Sequence, residues 1–259
     1  MAKGARFLRS VAFVLVSGLA VSTPLVAQPA KPALPPAAWI EWTVVEVNPA
    51  MVEEFIAIQR EFTAHAKKAK TPWRRVSRTE VFGDAYRFLI ATPVRSLATF
   101  DKRDDSDPEL YALVRRAQRY VTSQKTYAVR TLPDAGNPPP EGKEPALMVV
   151  NVVRVAPGRE QDFMNVMTSD FLPHFNEAKI HYETGTLAFG GESGFVHAFY
   201  VVNFAELDKG SPVVRALGAE GAQAVTAKLA GIVTSSEMWV ARLLPEVSYG
   251  PTAGGSENP

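Results

Sequence analysis

The stretch Val121-Thr-Ser-Gln-Lys-Thr-Tyr-Ala-Val-Arg-Thr-Leu-Pro-Asp134 returns later in the chain as Val233-Thr-Ser-Ser-Glu-Met-Trp-Val-Ala-Arg-Leu-Leu-Pro-Glu246. Both copies read V-T-S-x-x-x-[YW]-x-x-R-x-L-P-[DE]. Further anchors repeat in the same order. Val44-Val-Glu-Val-Asn-Pro49 matches Val152-Val-Arg-Val-Ala-Pro157, and Phe55 matches Phe163. Thr79-Glu-Val-Phe-Gly83 matches Thr186-Leu-Ala-Phe-Gly190, and Ala98-Thr-Phe-Asp-Lys102 matches Ala205-Glu-Leu-Asp-Lys209. A chain with this internal repeat makes one kind of unit twice, so the reading is a tandem duplication.

The unit can be read from its first copy. Trp39-Ile-Glu-Trp-Thr-Val-Val-Glu-Val47 is a strand by its β-branched and aromatic content, stopped by Asn48-Pro49. Phe55, Ile58, Phe62 and Ala66 recur at helical spacing within a helix from about 50 to 70. Strands follow near 76–82 and 86–92, then an acidic break from Asp101 to Asp107. Pro108 opens a second helix that carries Leu110, Leu113, Val114 and Ala117 on one face. A strand at 126–131 closes the unit. The order β-α-β-β-α-β is the ferredoxin-like arrangement, and residues 146–246 repeat it. The expected class is α+β: two tandem ferredoxin-like halves, 39–134 and 146–246, with 135–145 as linker and 247–259 as a disordered tail.

The first segment has a different character. Lys3, Arg6 and Arg9 precede the apolar run Val11–Val21, and Leu25-Val-Ala27 precedes Gln28. That is the pattern of a secretory signal peptide over 1–27, so a periplasmic or secreted location is expected. Residues 28–38 are proline-rich and read as an extended spacer. Removing the three basic residues lowers the formal charge from +1 to −2. A near-neutral exported protein is a poor nucleic-acid binder. After cleavage no stable membrane insertion is expected. The absence of cysteine excludes disulfides, thiolate catalysis and cysteine zinc sites. The four histidines are dispersed, so no metal cage is expected. No P-loop, G-x-S-x-G, H-E-x-x-H or dinucleotide fingerprint is present.

Paired halves of this kind resemble the dimeric α/β-barrel superfamily, with NIPSNAP-like and antibiotic-biosynthesis-monooxygenase-like groups the nearest in pattern. The features that carry the resemblance are the strand-Pro-helix start Val155-Ala-Pro-Gly158 with Phe163 following, and the late [YW]-x-x-R strand. The resemblance implies that the two sheets pair within one chain, as a monomeric pseudo-dimer or a further homodimer, and that a ligand binds between them. An uncovered sheet face needs such a partner in any case. Some members carry an active-site Asn on the first strand, which would be Asn151 here, with Thr43 as its counterpart. Haem-degrading members also carry a His on the second helix. The helices at 108–120 and 212–232 have none, so the expectation is no cofactor, with haem the outside option.

His197 lies in Phe195-Val-His-Ala-Phe-Tyr-Val-Val202, where alternation puts Phe195, His197 and Phe199 on one face. A histidine among phenylalanines suits either a pocket between sheets or a satisfied core position. His65 and His174 repeat within matching frames late in the first helices, as axial ligands or as residues favoured at helix C-termini. Arg130 and Arg242 repeat in the closing strands, to hold an anion or to pair with a carboxylate such as Glu41. Lys67, Lys68, Lys70, Arg74, Arg75 and Arg78 surround Pro72-Trp73 and read as a solvated basic face. The expected ligand-binding set is Asn151, His197, Phe195, Phe199, Thr43 and Arg242, around a small apolar or aromatic molecule. Two alternatives stand beside it. One is a cofactor-independent monooxygenase-like enzyme in which His197 is the base. The other is a purely structural or interaction barrel.

Overall fold

Eight antiparallel strands close on themselves in a computed structural model of the chain, in the order β1-β3-β2-β8-β5-β7-β6-β4. The structure describes residues 39–101, 107–139 and 147–250. The strands are β1 (Trp39–Val47), β2 (Arg75–Thr79), β3 (Arg87–Val94), β4 (Val121–Thr131), β5 (Leu147–Val155), β6 (Tyr182–Phe189), β7 (Gly194–Val201) and β8 (Val233–Leu243). The first four lie together as β2-β3-β1-β4, and the last four as β6-β7-β5-β8. The two groups meet at two seams. Ser77↔Leu243 to Thr79↔Ala241 joins β2 to β8, and Ala128↔Phe189 to Thr131↔Gly185 joins β4 to β6 across a bulge. Closure leaves no strand edge unpaired, which removes the usual route to edge-to-edge association.

Each group is covered by helices on its outer face. In the first, α1 (Val52–Lys68) and α2 (Pro108–Ala117) pack over β1 and β3. Phe55 meets Phe88 with ring centroids 4.8 Å apart, and Val45, Val47 and Val76 complete that core. Asp107 caps α2, its Oδ1 accepting from the Leu110 N–H at 3.0 Å. In the second group α3 (Glu160–Val166) and α4 (Leu172–Glu177) are joined by a π-turn, Met167–Phe171. Pro173 accounts for the break: it lacks an N–H and crowds the preceding turn, so the expected single helix gives way there. Phe163, Phe171 and Phe175 on this segment meet Phe195, Phe199 and Tyr182 on the strands. The short α5 (Phe204–Leu207) and then α6 (Pro212–Lys228) follow, and α6 is interrupted at Gly218, whose φ of 72° a side chain would disfavour.

The expected tail begins too early. Val247 is fully buried against the first-half core, and the Tyr249 N–H donates to the Arg74 carbonyl at 2.9 Å. Arg74 supplies the reason. Its guanidinium, only 5% exposed, donates to the Val247 carbonyl, the Thr63 hydroxyl and the Gln59 side chain. The expected linker is also partly built in: Ala135 is buried and Asn137 bridges to Tyr182. The expected signal peptide at 1–27, the expected spacer at 28–38 and the part of the expected tail beyond 250 lie outside the described residues. Among the described residues no helix is long and apolar enough to cross a membrane.

Candidate ligand site in the barrel bore

A closed barrel of eight strands has an interior just wide enough for side chains or one small ligand. Here it holds both. Towards one end Trp42, Tyr127, Leu187, Trp239 and Val152 fill the bore, with Trp42 and Tyr127 centroids 5.4 Å apart. Towards the other end the side chains are shorter and a cavity of about 440 Å³ remains. Every strand except β8 contributes to its wall, and every contribution comes from the strand end that faces this mouth. Leu89, Val150, Val196 and Ala198 form an apolar floor beside Trp42. Trp39, Trp73, Pro93, Pro133 and Pro138 form the rim.

Ser77, Thr131 and Thr184 interrupt that apolar wall, and so does a group of three, Arg75, Glu183 and Tyr200. The Tyr200 hydroxyl donates to Glu183 Oε2 in a short hydrogen bond. Arg75 Nη1 stands 3.6 Å from the same oxygen. The Arg75 guanidinium also lies over the Trp73 ring, 5.2 Å from its centroid. Burial pushes the Tyr200 phenol well above its usual range, the Glu183 charge pushes it further, and Arg75 opposes both. Tyr200 is therefore a proton donor to Glu183 and not an anion.

The six residues expected between the sheets lie elsewhere. On β7 the cavity takes Val196, Ala198 and Tyr200, while Phe195, His197 and Phe199 point the other way into the helix-covered core. His197 is 2% exposed, its Nδ1 lies 2.9 Å from the Thr184 hydroxyl, and its ring sits 5.9 Å from Phe163. Burial lowers its pKa to about 4. On β5 the cavity takes Met148 and Val150, so Asn151 also faces outward, where Oδ1 accepts from the Ser236 hydroxyl at 2.8 Å. Thr43 meets Thr126 at 3.0 Å, outside the cavity wall. Arg242 pairs with Glu80 at 3.3 Å, an ion pair with Glu80 in place of Glu41. The physical reason for the inversion is that both faces of β5 and β7 are apolar. Alternation then separates two faces without saying which one is inside.

The remaining candidates are also dispersed. His65 joins α1 to α2 through Asp107 at 3.0 Å and Glu109 at 3.8 Å, whereas His174 is exposed. The expected solvated basic face does not form as a unit. Lys68 pairs with Glu109, Arg74 is buried, and Arg75 lines the cavity. Sequence reasoning missed Arg75, Glu183 and Tyr200. Their signal was a charged or phenolic side chain on the same strand parity as the small Ala198 and Gly185.

Haem iron takes an axial His, Cys, Met or Tyr. The cavity wall holds no histidine, the chain has no cysteine, and Tyr200 is committed to Glu183. The buried His197 Nε2 has no hydrogen-bond partner, but Phe163, Phe195 and Phe199 around it are at most 6% exposed. The wall's remaining side chains of an axial type are Met148 and Tyr182.

No family model and no curated protein sequence matches the chain. Solved structures do. A proposed monooxygenase from Fusobacterium nucleatum subsp. nucleatum ATCC 25586 superposes with a TM-score of 0.60 at 9% identity, over 80% of this chain and 93% of that one. A proposed monooxygenase from Lactobacillus acidophilus NCFM gives 0.57 at 10% identity, over 83% and 96%. An anthrone oxidase-like protein gives 0.56 at 12% identity, over 85% and 94%. A mutant chlorite dismutase from Candidatus Nitrospira defluvii gives 0.51 at 8% identity, over 81% and 92%. At these identities the likeness is one of fold, the α+β dimeric α/β-barrel.

Proposed function

We propose that this chain binds a small apolar or aromatic molecule inside the mouth end of its barrel. The observation that carries the reading is the cavity of about 440 Å³, apolar at its floor and polar at one collar. That size and character match small-molecule sites in general. Trp39, Trp42 and Trp73 line it, so occupancy should quench tryptophan fluorescence. Titration with naphthalene tests this. Saturable quenching that disappears in Ala198→Phe, which fills the bore, supports the reading. The absence of saturable quenching in the wild type rejects it.

A second reading is a cofactor-independent monooxygenase-like enzyme on a small aromatic substrate. The Glu183–Tyr200 pair in the cavity favours it, and the fold is shared with proposed monooxygenases and an anthrone oxidase-like protein. Glu183, not His197, would be the base that takes a substrate proton. The resulting carbanion would reduce dioxygen, keeping one oxygen atom on carbon while the other leaves as water. Oxygen uptake with a phenolic substrate, lost in Glu183→Gln, separates this enzyme from a binding module.

The same proposal includes an exported protein, periplasmic or secreted, whose two halves arose by tandem duplication with NIPSNAP-like kinship. The repeated closing motif and the matching strand order of the two groups support the duplication.

A further inference from the structure

The order of strands gives the polar collar a meaning. β2 and β6 stand four strands apart in a ring of eight, on opposite sides of the bore. Arg75 on β2 and Glu183 on β6 therefore approach each other across the opening, and Tyr200 on β7 joins them from beside β6. All three sit at the mouth ends of their strands. Arg75 is the first residue of β2, Glu183 the second of β6, and Tyr200 the second from the end of β7. Deeper in, the wall is mainly apolar, with Leu89, Val150, Val196 and Ala198 beside Ser77. A bound molecule must then place its apolar body inward and any polar head at the collar.

The collar also limits what that head can be. Among the described residues the collar's charged groups are one guanidinium and one carboxylate. A carboxylate head would set a second anion beside Glu183, and burying an unpaired like charge is costly. Both protein contacts of Glu183 use Oε2, and among the described residues Oε1 has no hydrogen-bond partner. The Glu183 side chain keeps 32% exposure, so that oxygen can be reached from the cavity. Tyr200 cannot serve as the ligand's acceptor anion, because burial and the Glu183 charge keep its phenol protonated.

We propose that Glu183 is the specificity-determining residue of this cavity, selecting an apolar molecule with one neutral hydroxyl, which donates to Oε1, over its unsubstituted and carboxylate counterparts. Tyr200 and Arg75 are positioning residues that hold the carboxylate aimed. The inference rests on the proposed occupancy of the bore.

The test compares naphthalene, 2-naphthol and 2-naphthoate by tryptophan quenching on the full exported chain at neutral pH. A hydrogen bond to a charged partner should favour 2-naphthol over naphthalene by about tenfold or more, with 2-naphthoate weakest. Glu183→Gln should lower that naphthol-to-naphthalene ratio about tenfold. Naphthalene and 2-naphthol binding equally would overturn the specificity while leaving the occupied cavity intact. The tightest binding by 2-naphthoate would overturn it too, by making Arg75 the anchor. If no probe binds, the occupancy itself fails and the specificity falls with it. Because the three probes are compared on the wild type, the result does not depend on whether Glu183→Gln folds.

Discussion

Acid should destabilise this protein through one residue of the helix-covered core. His197 is 2% exposed among Phe163, Phe195 and Phe199, and the Thr184 hydroxyl is its hydrogen-bond partner. Burial holds its pKa at about 4, against 6.5 for an exposed imidazole. The unfolded chain therefore binds a proton that the folded chain refuses between those values, and stability falls as pH falls. The contribution is complete above about pH 6.5, declines towards pH 4 and is absent below it. Its size is about 3 kcal/mol, a large share of a domain's net stability. The assay is urea unfolding at steps from pH 7.5 to 4, on the wild type and on His197→Asn, whose amide can still reach Thr184. The variant starts less stable because it leaves a void, but it should lack the steep acid limb. Parallel pH profiles for the two proteins, or the His197 imidazole titrating near 6.5 in the folded protein by NMR, would refute the reasoning.

Two further perturbations test the frame. Arg74→Met leaves the Gln59 and Thr63 acceptors without their donor and the Val247 carbonyl with only the Thr63 hydroxyl, and should cost about 3 kcal/mol, with earlier proteolytic cleavage around Val247 to Gly250. A loss under about 1 kcal/mol would mean that the C-terminal segment is held by other contacts. Gly185→Ala places a Cβ 2.4 Å from Val129 Cγ1 and 3.2 Å from the Arg130 carbonyl, at the β4–β6 seam. It should cost about 1–3 kcal/mol, part of it recovered by adding Val129→Ala, and a neutral single variant would count against the tight seam.

The parts of the fold that the sequence made legible are those with a local signal. The repeated motif marks β4 and β8, although the strand expected at 126–131 starts earlier, at Val121, and Pro108 opens α2 as expected. What was not legible depends on which face meets what. Phe195, His197 and Phe199 were correctly grouped on one face of β7, but that face meets the Phe163 helix, not the bore. Both faces are apolar, so the strand carries no polar stripe to orient it. Glu183 and Tyr200 are far apart in sequence and become partners only when β6 pairs with β7. Arg75 was hidden in a basic run whose members go to three different environments. The tail was misjudged because proline and glycine around Tyr249 read as disorder, while Val247 and Tyr249 are held by a buried arginine.

The most direct test of the central claim is to locate a molecule in the bore. Crystals soaked with 2-bromonaphthalene should show one strong anomalous bromine peak enclosed by Trp42, Val150 and Ala198, and no such peak in Ala198→Phe crystals. A bromine site only on the outer surface, or a bore with no bromine at concentrations that saturate fluorescence quenching, would contradict the account.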